Sequence, residues 1–565
     1  MKRVARARPR SAGAPARSPA AIALTLSRLT PRERRLALLA GLVLLYVLVV
    51  NAWVSDDGYI TFRTIDNLVH GYGLTWNVEE RVQVYTHPLW MIMVAAFYAV
   101  TREPFYTSIV LSLALTLGAI LLAAWLATRR GQGEFWKVPL LVLALIASKA
   151  LIDFSTAGLE NALSYLLSAL FLAVYLGAPR PRLFPLALLT SLAYLSRPDL
   201  VILFGPALVA AVIRLHAAGE TTPGRIAKEL ALGASPAVLW TLFSLVYYGF
   251  PFPNTAYAKM LATAVPASWK LRRGFEYLGN SLLWDTASHL MVLAAFVLGL
   301  RRSGRRLLPL LAGVFLYEIY IVVSAASATH MSGRFYAVPF FLAITLFVLA
   351  LPGGRPARVS AAVLAAALVL NPVSAIKLAT PAYRPPAQRP SSIDARWYSY
   401  QEGSALVNWR PGKRMPAHPW LDYGERVRAA PGKVHIGGAF ELPAIGFAGY
   451  GAGPEKFLID KVGLSDPLLA RLPARRPAAM SGWKSGHFAR EIPAGYPESV
   501  SAGVNAIADP ELRLYYDKIR LITRAPLFAK GRLAAIVGMN LGRYDFLLAK
   551  ARAAAARPAK GEESK

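Results

Sequence analysis

Apolar stretches near the length of a bilayer crossing recur along most of this chain, beginning with Ala37–Val54, which holds no charged residue. A backbone in hydrocarbon must satisfy its own polar groups, so such stretches fold as helices packed side by side. Composition agrees. Of 565 residues 55% are hydrophobic and 17% charged, and mean hydropathy is +0.39. A soluble protein of this length carries more charge. Cysteine is absent, which excludes disulfides and thiolate chemistry.

A net charge of +31 would suit a nucleic-acid binder, but its distribution speaks for a membrane. Basic residues crowd the N-terminal tail and the short loops between apolar stretches, where positive-inside retention puts them. The first apolar segment is too long for a secretory signal and lacks a small-x-small cleavage site. Residues 36–54 therefore read as a retained span behind a cytoplasmic tail, 1–35. Basic loops at 129–137, 180–182, 214–228, 301–306 and 355–358 set the orientation. With these in the cytoplasm, the further spans are 105–128, 138–152, 161–178, 183–196, 199–214, 230–248, 284–300, 307–324, 335–351 and 359–376. Residues 88–101 are barely long enough to cross, and a crossing there would invert every later loop, so they read as a re-entrant or interfacial helix.

The expected fold class is thus a multi-pass α-helical membrane protein of about 11 spans over 36–376, with a first outer loop at 55–104 and a C-terminal extracytoplasmic α/β domain at 377–550. The α/β reading rests on short alternating runs, KVHIGG and KFLIDKVG, broken by Gly and Pro. The Pro-rich TPAYRPPAQRP reads as the linker into it, and 551–565 as a disordered tail.

This topology gathers the chemistry-bearing residues on the non-cytoplasmic side, although only the basic loops set the orientation. Asp56 and Asp57 open the first outer loop in SDDGYITFRTIDNLVHGYGLTWNVEERVQVYTHPLW, which also holds Arg63 and His87. Residues 55–72 form an amphipathic pattern suited to a helix lying on the membrane surface, with Phe62, Ile65, Leu68, Val69 and Tyr72 on one face. The two acids could serve only to cap that helix. One cap suffices, so the other reading is a general base whose pKa is raised by apolar surface and a second acid. Lys149 and Asp153 form an i,i+4 pair, unless Lys149 contacts a phosphate at headgroup level. Glu160 opens a helix in TAGLENAL, where an acid also suits the dipole. SRPDL places Arg197 and Asp199 at a tight turn, and GFPFPNTAYAK presents Asn254 and Lys259 on a rigid loop. HMSGRF puts His330 and Arg334 just before a span. Arg334 leads as a phosphate ligand because no acid lies near it in sequence, with Lys259 second. Arg197 has Asp199 close by to occupy it. No metal signature, P-loop or dinucleotide fingerprint appears. No cofactor is expected, and a divalent cation is left open.

The first of these blocks is similar to the DDA-Y-I-x-x-R…ERV-x-x-[YF]-T-x-PLW block of bacterial membrane glycosyltransferases of the GT-C class. TAGLENAL, SRPDL, YYGFPFPNTAYAK, SGRFYAVPF, LIDKVGLSDPLLARLP and Gly486-His487 follow in family order. Over most of 50–490 the chain resembles the mycobacterial terminal arabinofuranosyltransferase (AftB-like) family. Gly58 stands where the family often has Ala, and His87 where it tends to have Ser or Asn. The resemblance implies a GT-C fold in a bacterial inner membrane and a polyprenyl-phosphate sugar donor. It also implies a base at Asp56 or Asp57 and transfer, with arabinofuranose as the sugar, to a glycan, lipid or protein acceptor. The residues independently provide cations for a lipid phosphate at Lys149, Arg197, Lys259 and Arg334, and no nucleotide site. A hexose donor is the alternative within the class. A transporter of a lipid-linked sugar is the rival from another class, but it would bring paired repeats and broken mid-membrane helices.

Overall fold

A computed structural model describes residues 30–129, 134–177, 180–219, 221–261, 265–302, 306–324, 333–371, 374–377, 394–397, 401–437, 445–474 and 486–556. The linker at 380–390, His330, and residues 1–29 and 557–565 of the expected tails 1–35 and 551–565 lie outside these residues, while 551–556, expected to be disordered, belong to the helix Ala549–Ala556. Helices dominate, and each of the eleven expected spans carries one.

Three of these helices are long and apolar enough to cross a bilayer alone: Pro104–Thr128, Leu200–Ala217 and Pro223–Tyr247. A fourth candidate is the pair Ala267–Trp284 and Thr286–Arg301, which bends by 98° at its break. Others are shorter apolar helices, such as Asn161–Gly177, Leu183–Ser196 and Ala337–Ala350. The expected 138–152 span is interrupted at Ser148, whose extended backbone separates Lys137–Ala147 from Lys149–Asp153. Residues 88–101 form one 14-residue helix, Pro88–Thr101, which ends where Arg102 adopts left-handed backbone. At 1.5 Å per residue that helix is about 21 Å long, short of a typical hydrocarbon core.

The C-terminal region departs from the α/β expectation. The two alternating runs do form strands, Val434–Gly437 and Phe457–Asp460, paired in parallel with Val434 opposite Phe457. Around this two-stranded sheet the region is helical, with Pro419–Ala429, Ile445–Ala452, Pro510–Thr523 and Arg532–Asn540 as its longer helices. One hydrophobic core holds Trp53, Trp90 and Phe341 from the bundle together with Leu421, Phe447 and Leu458. A second core joins Phe250 to Ile459, Tyr496, Ile519 and Ile536.

The Asp56–Val69 helix is not the surface helix that its pattern suggests. Ten of its 14 residues are buried, Arg63 and Asn67 among them. The cause is the Ile445–Ala452 helix, which packs across it. Gly446 permits the approach, since a Cβ there would sit 1.8 Å from the Asp56 carbonyl oxygen. Arg63 closes the contact. Its guanidinium lies over Trp76, 4.2 Å from the ring centre, and donates to the carbonyls of Trp76 (2.8 Å), Gly449 (2.6 Å) and Lys456 (2.8 Å). Truncating this side chain leaves buried carbonyls unpaired, at about 1–3 kcal/mol for each one that water does not reach. Arg63→Met is therefore expected to lower the melting temperature in detergent and make the C-terminal region sensitive to limited proteolysis. An unchanged melting curve and digestion pattern would contradict this packing.

Candidate functional site

The two adjacent acids meet different partners. Ser55 caps their helix by accepting from Gly58 N (3.3 Å), so neither acid is needed for that task. Asp56 is buried and accepts from the backbone N–H groups of Gly446 (3.0 Å) and Phe447 (2.6 Å). Burial pushes its carboxyl up to about 7, against those two N–H groups and with the charge of Asp57 adding to the rise. Asp57, one residue on, opens into a cavity of about 330 Å³. Its side chain is 31% exposed there, and Arg334 Nη1 donates to it at 2.9 Å.

That cavity lies where the segment 55–104, the bundle ends and the C-terminal region meet. Among its lining residues are Asp57, Thr61, His87, Glu160, Arg197, Asp199, Lys259 and Arg334, with His487 and Phe488 from the C-terminal side. Glu160 is the hub. His87 Nδ1 stands 3.1 Å from it, Arg334 Nη2 3.4 Å and Arg197 Nη1 3.7 Å. Burial alone would raise this carboxyl, but Arg334 and then His87 hold it below the usual carboxylate range. His87 thus bridges two cavity groups, with Nδ1 facing Glu160 and Nε2 facing the Thr61 hydroxyl at 2.9 Å.

Arg197 gives Nε and Nη2 to Asp199 at 3.0 and 2.8 Å, and Asp199 also accepts from the Tyr317 hydroxyl at 2.8 Å. Arg197 Nη1 has no hydrogen-bond partner among the described residues. Lys259 lies in the π-helical turn Tyr257–Leu261 and makes no ion pair among the described residues. Burial lowers its ammonium pKa while Asp57 acts the other way. Among the described residues no three His, Asp or Glu side chains gather to hold a metal ion.

Several sequence-based assignments change. Arg334 does have acids beside it, Asp57 and Glu160, brought from 277 and 174 residues away. Lys149 does not reach the cavity. It is buried, bonded to Asp153 and 3.1 Å from Asp394, where it ties the bundle to the C-terminal segment. Arg63 serves the backbone contacts given above. Asn254 donates its amide to the carbonyls of Gly463 (2.8 Å), Leu464 (3.2 Å) and Asp466 (3.1 Å), so it holds the loop whose neighbours Pro253 and Thr255 line the cavity. Thr61 and Lys270 also line the cavity and were not among the expected residues. Lys270 had a signal: WKLRR is a basic run in a loop assigned to the non-cytoplasmic side, an exception to positive-inside placement.

A buried hub carboxylate, an accessible carboxylate and several cations around one cavity suit proton abstraction beside a bound anion. Comparison with known proteins gives this arrangement a class, since the chain is distantly homologous to glycosyltransferases. It is 26% identical over 358 residues to a terminal beta-(1->2)-arabinofuranosyltransferase of Corynebacterium glutamicum, covering 56% of this chain and 50% of that protein. It is 30% identical over 281 residues to the protein of the same name in Mycobacterium tuberculosis, covering 46% of this chain and 43% of that one. The chain thus spans about half the length of the curated relatives it matches. No family model and no solved structure matches it.

The burial of Asp56 has a pH signature. Its folded pKa near 7, against 3.8 for a free side chain, means that the folded state binds more protons between those values. This group's contribution to stability therefore falls as pH rises from about 4 to about 7, and is level above that. Asp56→Asn removes the slope. Wild type is expected to lose more melting temperature between pH 5 and pH 8 than the variant does. Equal losses would show that Asp56 is ionised throughout.

Proposed function

We propose that this protein is an integral-membrane glycosyltransferase that uses a polyprenyl-phosphate sugar, and that Asp57 is its base. The observation that carries the reading is the placement of Asp57. It is the member of the acidic pair open to the cavity, which Arg334, Arg197 and Lys259 also line. Distant homology to two sugar transferases supports the reaction class. Their names support arabinofuranose as the sugar, and in this reading it passes to a glycan, lipid or protein acceptor.

In this reading the acceptor hydroxyl loses its proton to the Asp57 carboxylate. Its oxygen bonds to the anomeric carbon, and the bond from that carbon to the phosphate oxygen breaks. The electron pair leaves with the lipid phosphate. Lys259, a cation without an ion pair among the described residues, meets the charge that develops on that phosphate. Arg334 positions Asp57 through the 2.9 Å contact, and Glu160 positions Arg334 and His87. The eleven-crossing topology belongs to the same proposal. It puts the cavity and the C-terminal region on the outer face of a bacterial inner membrane, within reach of a lipid-linked donor.

Turnover of a labelled polyprenyl-phosphate arabinofuranose in detergent tests this, since no transport occurs there. Asp57→Asn is expected to lower transfer by about 10²–10⁴-fold with little change in melting temperature. Lys259→Ala is expected to raise the donor KM by about 10–100-fold, the loss of one charge-assisted contact. Near-normal turnover in Asp57→Asn would remove the assignment of the base. Unchanged donor kinetics in Lys259→Ala would move the phosphate elsewhere.

A further inference from the structure

The Arg532–Asn540 helix is apolar on both faces. Ala535, Ile536 and Met539 enter the second core, while Leu533, Ala534 and Val537 face outward. Leu533 is 74% exposed, and Leu541, one turn beyond Val537, is 67% exposed. Phe528 just before the helix is 92% exposed and Phe546 just after it 69%. A helix at a water-facing surface carries polar residues on its outer side, so this stripe needs an apolar neighbour.

Its place in the fold identifies that neighbour. Arg532 donates to the carbonyls of Val246 (2.7 Å) and Tyr247 (3.0 Å), and Asn540 donates to that of Gly249 (2.8 Å). These bonds pin the helix to the end of Pro223–Tyr247, one of the helices long and apolar enough to cross a bilayer. That long helix exposes Leu239, Leu242 and Val246 toward the same end. The outward stripe therefore adjoins the apolar end of a candidate crossing. Lys530 and Arg543 are exposed at its two ends, where phosphate headgroups would meet them.

We propose that segment 528–546 is an interfacial membrane contact that seats the C-terminal region in the adjoining leaflet. Leu533, Val537 and Leu541 enter the acyl boundary, and Lys530 and Arg543 remain at headgroup level. The proposal rests on reading Pro223–Tyr247 as a crossing and not on the transfer reaction.

The native chain has no cysteine, so single cysteines can be labelled uniquely. Full-length protein carrying a nitroxide at Leu533→Cys, Val537→Cys or Leu239→Cys would be placed in vesicles of phosphatidylethanolamine and phosphatidylglycerol. Collision with oxygen, which concentrates in lipid, is compared with collision with a water-soluble nickel chelate. All three labels are expected to favour oxygen several-fold. A lipid-exposed label at 239 with water-exposed labels at 533 and 537 would overturn the proposal alone. A water-exposed label at 239 would overturn the crossing and the proposal with it. Spin–spin broadening at 537 that persists as the protein is diluted in lipid would overturn it in favour of a second copy on this face. If Leu533→Cys does not fold, Leu541→Cys reports on the same stripe.

Discussion

The contact between the Asp56 carboxyl and the backbone N–H groups of Gly446 and Phe447 organises the rest of this structure. It fixes the C-terminal region onto the Asp56–Val69 helix across 390 residues of chain. Successive residues of a helix point about 100° apart, so anchoring Asp56 inward turns Asp57 toward another surface. That surface is the cavity wall. Two neighbouring acids thereby take different positions, one dry and bonded to backbone, the other accessible and paired with Arg334. Arg63, about two turns further along the same helix face, reinforces the same docking with three backbone carbonyls.

Electrostatics inside the cavity depend on Glu160. A buried carboxylate is tolerated only where cations and hydrogen-bond donors surround it. Here His87, Arg334 and Arg197 do so, and they in turn are held in place. Asp199 holds Arg197 with a two-pronged contact, and Tyr317 holds Asp199. Arginine thus serves mostly as a fixed positioning group, while Lys259 supplies a cation not committed to a carboxylate among the described residues. This division follows from geometry. Guanidinium matches carboxylate in two directions, whereas an ammonium remains a point charge on a flexible stem.

The helical segments were legible because apolar runs of bilayer scale have few alternatives to helix. Several cavity residues were legible too. His87, Glu160, Arg197, Asp199, Lys259 and Arg334 stood out as polar groups at the ends of apolar runs, and all of them line one cavity. What could not be read were partners far away in sequence. Arg63 and Asn254 had the composition of site residues, yet they hold backbone carbonyls supplied by segments 209 to 393 residues distant. The burial of the Asp56–Val69 helix was hidden for the same reason, since its pattern is amphipathic and its cover comes from the C-terminal region. The two strands followed from their alternation, but helices fill the space around them, so local pattern gave too much weight to β structure there.

In the proposed reaction the Asp57 cavity receives the sugar end of a lipid-linked donor. Photo-crosslinking tests this most directly, using a polyprenyl-phosphate sugar with a diazirine on the sugar and mapping the modified peptides. Adducts are expected on the cavity walls formed by residues 84–87, 252, 253, 255, 256 and 486–488. Adducts confined to the apolar cleft between the Leu183–Ser196 and Pro223–Tyr247 helices, with none on those walls, would contradict it.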